Sequence, residues 1–323
     1  MRAAVVSEGG LEIRDVEAPK PSSSEVLIRV KACGLNRADS MVASGMTHGS
    51  IGGRGTIPGM EFAGEVIDVG AEVQGFKPGD RVMCGGHSGW AEYATADWGR
   101  AVAIPDNMSW SQAATLLTGL QTMHNAIVTA GRLQPGESVL IQGASTGVGL
   151  MGMQIAKAMG AGLVIGSSTN PQRRARLTEF GADLAIDSKD PRWVEQVLQA
   201  TDGKGVHLIV DQLSGYAANQ NLAAARVLGR IINVGRLGGF TGEFNFDLHA
   251  ARRIDYIGVT FRTRSLQEVR DIVQAMKNDL WGAVTAGKLS LPVDREFSLS
   301  EAANAVDYMK ANRHFGKIVL TLP

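Results

Sequence analysis

Along the first third of the chain the apolar positions come in short runs, at 26–30, 65–69 and 81–83. Each run is cut off by turns rich in Pro and Gly, such as Lys77-Pro78-Gly79-Asp80. Runs of that length between breakers predict strands, so the segment up to about Trp110 reads as an irregular β-rich lobe. From Ser138 the rhythm changes. Apolar strands at 139–141, 163–165, 184–186, 206–210 and 230–234 alternate with stretches of helical period, such as Leu177 with Phe180, or Trp193, Val194, Val197 and Leu198. This alternation predicts a parallel sheet covered on both faces by helices. Beyond about Gly258, Leu266, Val269, Ile272, Val273, Met276 and Leu280 recur at helical spacing. Ser298 with Glu301 forms a capping-box signature ahead of a helix carrying Ala302, Ala305, Val306 and Met309, and 317–322 predicts a closing strand. With no repeat or low-complexity linker, the outer segments are expected to form one lobe interrupted by the α/β unit. The expected boundaries are 1–118, 119–258 for the α/β domain, and 259–323.

A length of 323 residues suits about two domains. Lys and Arg number 32 and Asp and Glu 32, so no net field draws the chain to nucleic acid or to an anionic membrane, and neither is expected as a partner. Two cysteines, Cys33 and Cys84, cannot build a disulfide framework or a four-thiolate zinc site, and the N-terminus lacks the apolar core of a signal peptide. Together these predict a cytoplasmic protein. The uncharged stretch 138–156 resembles a membrane span in length, but Gly143, Gly147, Gly149 and Gly152, with Gln142 and Gln154, place a turn in its middle.

Val139-Leu140-Ile141-Gln142-Gly143-Ala144-Ser145-Thr146-Gly147-Val148-Gly149 runs from a buried strand through a glycine turn into the helix of Leu150, Ile155 and Ala158. Such a turn aims free backbone N–H groups and the positive end of a helix dipole at a pyrophosphate. Ala144, Ser145, Thr146, Gly147 and Val148 are therefore candidate dinucleotide contacts. The spacing departs from G-x-G-x-x-G, whose glycine positions here read Ala144, Thr146 and Gly149. The next strand ends near Gly166 in Ser167, Ser168 and Thr169, with no Asp or Glu for a ribose 2′-hydroxyl, and Arg173 and Arg174 follow within one helical turn. Small hydroxyls and a guanidinium suit a 2′-phosphate, which an acidic residue would repel. The expected cofactor is NADPH, with Ser167, Ser168 and Arg173 among its contacts.

These residues, with Ala32-Cys33-Gly34-Leu35-Asn36-Arg37-Ala38-Asp39, Pro58-Gly59-Met60-Glu61-Phe62-Ala63-Gly64, Phe76-Lys77-Pro78-Gly79-Asp80-Arg81-Val82, Gly229-Arg230-Ile231-Ile232-Asn233-Val234-Gly235 and Gly316-Lys317-Ile318-Val319-Leu320, stand in family order. The chain resembles the medium-chain dehydrogenase/reductase superfamily over essentially its whole length, and within it the zinc-independent quinone oxidoreductase branch that includes zeta-crystallin-like enzymes. The resemblance implies a Rossmann-type domain inserted into a β-rich GroES-like catalytic domain, substrate binding in the cleft between them, and a homodimer paired through edge strands. It also implies that Val234, Gly235 and Arg236, and the run with Phe261 and Arg262, face the nicotinamide and its ribose. Ser188 stands where some members carry a phosphate-binding Tyr.

Catalytic zinc needs three protein ligands, and in the alcohol dehydrogenase pattern a Cys would stand at position 36 and a His at position 60. This chain has Asn36 and Met60, Leu116 and Leu117 where another Cys would lie, no four-cysteine lobe, and Ala38 in place of a relay hydroxyl, so no metal site is expected. Without a Lewis acid, hydride transfer needs an acceptor that is already electron-poor, such as a quinone or a C=C bond conjugated to a carbonyl. The protein then supplies position and a dipole for the developing oxyanion. Asn36, the residue usual in this branch, is the candidate donor. Met41 and Thr47 stand where the family often has tyrosines, which leaves His48 as the candidate acid. Asp39 and Glu61 are expected to fix their loop through backbone or arginine contacts, and His124 to be structural.

The expected function is zinc-independent, NADPH-dependent reduction of a quinone or an α,β-unsaturated carbonyl compound. One alternative is an enoyl-thioester reductase, in which Arg252, Arg253, Arg262 and Arg264 would form a basic entrance. The other is a non-catalytic NADPH-binding, redox-sensing protein.

Overall fold

The punctuated runs of the N-terminal third become strands in a computed structural model that describes residues 1–323: β1 (Glu25–Gly34), β2 (Glu61–Val69), β3 (Arg81–Gly85), β4 (Tyr93–Asp97) and β5 (Ala101–Ala103). Along β1, Val26, Ile28, Val30 and Ala32 are buried while Leu27, Arg29 and Lys31 are not, the period-two alternation of a sheet with one face in a core. β2 takes one edge of β1; the other edge is divided between β4 at residues 25–29 and a C-terminal strand at 32–34. The short helix α1 (Arg37–Ala43) follows β1.

The alternating middle of the chain forms β6 (Ser138–Ile141), β7 (Leu163–Ser167), β8 (Leu184–Ile186), β9 (Val206–Asp211), β10 (Ala225–Asn233) and β11 (Asp255–Gly258), with helices α2 (Gly147–Ala158) after β6 and α3 (Pro171–Ala175) after β7. All six strands are parallel, in the order β8-β7-β6-β9-β10-β11. Val139, Leu140 and Ile141 are fully buried, as a central parallel strand covered on both faces requires. The strand order reverses between β6 and β9, so the crevice outside their carboxyl ends is the topological switch point where such sheets bind ligands.

Leu177 and Phe180 prove to lie in a 3-10 turn, which Gly181 ends at a φ of +94°, instead of a helix. β11 has no apolar run to announce it, because an edge strand leaves Asp255 and Gly258 exposed. The long C-terminal helix α4 (Leu266–Thr285), β12 (Val293–Ser298), α5 (Ala302–Lys310) and β13 (Lys317–Thr321) complete the chain. The Ser298 N–H donates to Glu301 at 3.0 Å, as the capping signature predicts. β13 joins β1 and β12 joins β13, giving a first sheet ordered β12-β13-β1-β2-β3-β5. Contacts divide the chain into one unit of Met1–Thr118, Phe261–Ala275 and Ser290–Pro323 and a second of Gly119–Thr260 and Met276–Leu289. No sequence signal sets 276–289 apart from the rest of 259–323. No helix is long and apolar enough to cross a membrane.

The end of β1 is held by Asp39. Its Oδ2 accepts the Asn36 N–H at 2.8 Å, and its Oδ1 accepts the N–H groups of Gly59 at 3.1 Å and Met60 at 3.0 Å, tying the start of α1 to the segment ahead of β2. Gly34 permits this closeness: a Cβ there would lie 2.1 Å from the Ala114 carbonyl oxygen and 3.2 Å from Glu61 Oε2.

Burial pushes the Asp39 carboxyl up to about 6 from 3.8, against the lowering effect of the N–H donors and of Lys317. A folded-state value above the unfolded one means that this group's stabilisation is complete below the unfolded value and is lost as the pH rises through the folded value. Asp39→Asn does not titrate. Relative to that variant, the wild type should therefore lose about 3 kcal/mol of unfolding free energy between about pH 4 and pH 7 in urea titrations, at ~1.36 kcal/mol per unit.

Candidate active site

The second unit builds its site where β6 runs into α2. Gly143 takes a φ of +69°, turning the chain without a Cβ penalty. A Cβ on Gly149 would lie 2.7 Å from both Ala144 Cα and the Gly143 carbonyl oxygen, so the turn closes only on glycine there. Thr146 caps α2, its Oγ1 accepting the Gly149 N–H at 3.0 Å, and its hydroxyl faces the Gly143 carbonyl and Gln212 Oε1, each at 3.0 Å. The Ala144 N–H is spent on the Ser167 carbonyl at 2.8 Å. Those of Gly147 and Val148, at the first positions of α2, have no carbonyl one turn back to bond, and they fit the pyrophosphate of a dinucleotide.

The remaining expected cofactor residues of this unit gather at the same sheet end. Ser167, fully buried, accepts the Gly143 N–H at 3.0 Å and donates to Gln142 Oε1 at 2.6 Å, so its hydroxyl serves the turn itself. Ser168 donates to Ser145 Oγ at 2.9 Å. Arg174 is occupied by the Ser168 carbonyl at 2.8 Å and by Asp187 at 2.9 Å, while Arg173 is half-buried on α3, where Asn170 caps its N–H at 2.9 Å. After β10, the N–H groups of Val234 and Gly235 donate to the Asp211 carbonyl at 2.8 and 3.1 Å, and the Arg236 guanidinium donates to the Val234 carbonyl at 3.1 Å. Asp211, Gln212 and Ser214, not singled out from the sequence, brace this rim. Asp211 Oδ1 accepts the Leu213 and Ser214 N–H groups at 2.8 and 3.0 Å, and burial pushes its carboxyl up. Their one sequence signal is the change from the apolar Leu208-Ile209-Val210 to Asp211 and Gln212 at the end of β9.

In the first unit Asn36 belongs to a buried cluster. Its Oδ1 accepts from Lys317 Nζ at 2.8 Å, and its Nδ2 donates to Glu61 Oε2 at 3.1 Å and, at 3.4 Å, to the Gly34 carbonyl. Lys317 Nζ donates also to Glu61 Oε2 at 2.8 Å, and the Thr118 N–H donates to Glu61 Oε1 at 2.8 Å. Glu61 is fully buried and Lys317 nearly so. Asp39 fixes its loop through backbone N–H groups, and Glu61 likewise accepts a backbone N–H, from Thr118, while its charged partner is a lysine and not an arginine. Lys317 is the functional candidate that sequence reasoning missed, because it lies 281 positions from Asn36 at the start of a closing strand.

His48 sits in a two-residue hairpin, Thr47–His48 against Ile51–Gly52, next to Arg262: a Cβ on Gly49 would lie 3.5 Å from the Arg262 side chain. Burial, then the charge of Arg262, holds the imidazole below its usual range. That direction favours the uncharged imidazole, which can donate a hydrogen bond. The expected basic entrance is partly spoken for, since Arg252 donates to the Ala225 carbonyl and Arg264 lies 3.4 Å from Glu268. His124 is buried with Nε2 2.7 Å from Asp279 Oδ2. No group of three or more His, Cys, Asp and Glu side chains is arranged to hold a metal ion.

Residues 22–106 match the family described as alcohol dehydrogenase GroES-like domain, and residues 147–278 the family described as zinc-binding dehydrogenase. The chain is 31% identical to the quinone oxidoreductase of Rattus norvegicus, over 100% of its own length and 98% of that protein's. It is 30% identical to a mycocerosic acid synthase-like polyketide synthase of Mycobacterium tuberculosis, matching with 100% of its own length but spanning only 15% of that much longer protein. The solved structure of the CurK enoyl reductase superposes with a TM-score of 0.87 at 27% identity, covering 100% of this chain and 99% of that one. The switch-point turn, the GroES-like sheet and full-length likeness to a quinone oxidoreductase place this chain in the medium-chain dehydrogenase/reductase superfamily, in its quinone oxidoreductase-like branch.

Proposed function

We propose that this oxidoreductase uses NADPH to reduce a quinone or an α,β-unsaturated carbonyl compound without a catalytic metal ion. The observation that carries the reading is the pair of donors around Asn36, an amide and an ammonium both held by the Glu61 carboxylate, in the place where a metal-dependent relative needs ligands. Donors of this kind suit an acceptor that is already electron-poor and needs only its developing oxyanion stabilised. NADPH, when bound, supplies the hydride.

The chain's own residues do the rest. The Gly147 and Val148 amides and the α2 dipole hold the pyrophosphate, and Val234, Gly235 and Arg236 close the rim beside them. At the end of β7 no acidic residue stands to repel a 2′-phosphate, and Arg173, one turn into α3, is the guanidinium assigned to it. In the first unit Lys317 fixes the Asn36 amide by its Oδ1. The Nδ2 hydrogen on the Gly34 carbonyl at 3.4 Å, the longest bond in the cluster, is the one that a substrate oxygen can take over. His48, kept neutral beside Arg262, can donate a second hydrogen bond, and Phe261 and Arg262 are the residues of this unit that meet the coenzyme. An enoyl thioester is an acceptor of the same electronic kind, and the likeness to the CurK enoyl reductase favours including it as the second reading.

Arg173→Ala should weaken NADPH binding roughly 10- to 100-fold, the loss of a charge-assisted hydrogen bond, and leave NADH binding within about twofold, as read by nicotinamide fluorescence titration. Equal losses for both coenzymes would remove the 2′-phosphate assignment. Asn36→Ala should lower kcat about 100-fold against a panel of quinones, enones and enoyl thioesters while the NADPH Kd stays within about twofold. The preferred acceptor in the wild type decides between the two readings. Lys317→Met leaves the Glu61 carboxylate buried and unpaired and should cost about 3–5 kcal/mol in chemical denaturation, most of which Lys317→Met with Glu61→Gln recovers.

A further inference from the structure

The first unit holds another polar cavity, of about 270 Å³, which the proposed reaction does not use; Arg100, His87, Glu25, Thr95, Asp97 and Leu266 are on its walls. The pairing of charges around it is uneven. Asp97 is committed: its Oδ1 accepts from Arg270 Nε at 2.9 Å and from the Gly99 N–H at 3.0 Å, and its Oδ2 accepts a second Arg270 bond at 2.6 Å. Trp98 stacks on the same Arg270, with the guanidinium carbon 4.9 Å from the ring centroid. Glu25 is committed too, accepting the Thr95 hydroxyl at 3.2 Å and the Ser22 N–H at 3.0 Å.

Arg100 is what remains. Its Nε is buried with no hydrogen-bond partner, and no acceptor of the chain bonds its terminal nitrogens. Burial lowers its guanidinium below the ordinary value, and burial together with Arg100 also holds the His87 imidazole low, so His87 faces the cavity as a neutral donor and acceptor. A half-buried guanidinium whose Nε lacks an acceptor, and which has only the nearby charge of Asp97 to ease it, is stabilised further when a counter-anion enters.

We propose that this cavity is a binding site for a small monocarboxylate, whose two oxygens take the planar fork of Arg100 while His87 bonds one of them. A carboxylate matches the fork in a bidentate pair. A dianion such as phosphate would bring a second negative charge against the wall carboxylates of Glu25 and Asp97. Leu266, 44% exposed, offers apolar surface to a short alkyl chain. The volume falls just below the roughly 300 Å³ at which pockets for drug-sized ligands begin, so the occupant is small.

Calorimetric titration of the full chain with butyrate, inorganic phosphate and chloride tests the site. Butyrate should bind about tenfold or more tighter than either inorganic anion. Arg100→Gln, which keeps polarity and removes charge, should weaken butyrate about tenfold or more, the equivalent of ~1.4 kcal/mol. Leu266→Trp, which fills the cavity without touching the guanidinium, should weaken it by a similar factor. If Arg100→Gln does not fold by circular dichroism, Arg100→Lys replaces it, keeping the charge without the fork, and should also weaken butyrate. No heat with butyrate, phosphate binding as tightly as butyrate, or unchanged butyrate affinity in the arginine variant and in Leu266→Trp would each overturn the assignment.

Discussion

The first unit depends on one ion pair, Lys317 Nζ against Glu61 Oε2 at 2.8 Å, both side chains buried. It joins the start of β13 to the start of β2, and through Asn36 it also holds the loop that leaves β1. Such a pair contributes little net stability, because desolvating two charges offsets most of their attraction, yet losing one partner strands the other. Its value lies in geometry. The carboxylate must keep two oxygens satisfied, so it fixes the Thr118 N–H, the ammonium and the Asn36 amide at once. Lys317 at Oδ1 and Glu61 at Nδ2 give the amide one orientation, and its second Nδ2 hydrogen meets only the long Gly34 contact at 3.4 Å.

The second unit is organised by the opposite device, with the main chain of its glycine turn in the place of a charged cluster. Its glycine turn tolerates Ala144 and Thr146 at positions where the usual spacing has glycine, and the structure gives the reasons. The positive φ falls on Gly143, and the close approach falls on Gly149. Thr146, far from being a defect, supplies the cap of α2. Ser167 and Gln142 then lock the turn to β7, which fixes the start of α2 by hydrogen bonds within the sheet end itself.

Arg100 and Arg270 show how the same residue type divides under packing. Both stand near Asp97, but the carboxylate is aligned on Arg270 and the Gly99 N–H, and Arg100 feels its charge without a hydrogen bond to it. A guanidinium left without that bond is a feature of the folded arrangement and has no counterpart along the chain.

What the sequence determined by itself is whatever rests on local spacing. The period-two alternation of β1, the apolar runs of the parallel strands, the glycine turn and the Ser298–Glu301 cap are set by neighbours a few residues apart, and local sterics and hydrogen bonding are enough to produce them. The edge strand β11 and the 3-10 turn at Leu177–Phe180 escaped because burial on one side only, and a glycine stop, weaken those same periodic signals. Tertiary structure alone decided the partner of Glu61, the placing of His48 beside Arg262, and the spending of Ser167 on its own turn. Each of these depends on which groups from distant segments share a desolvated space, where Coulomb and hydrogen-bond energies are largest and where separation along the chain carries no information about separation in space.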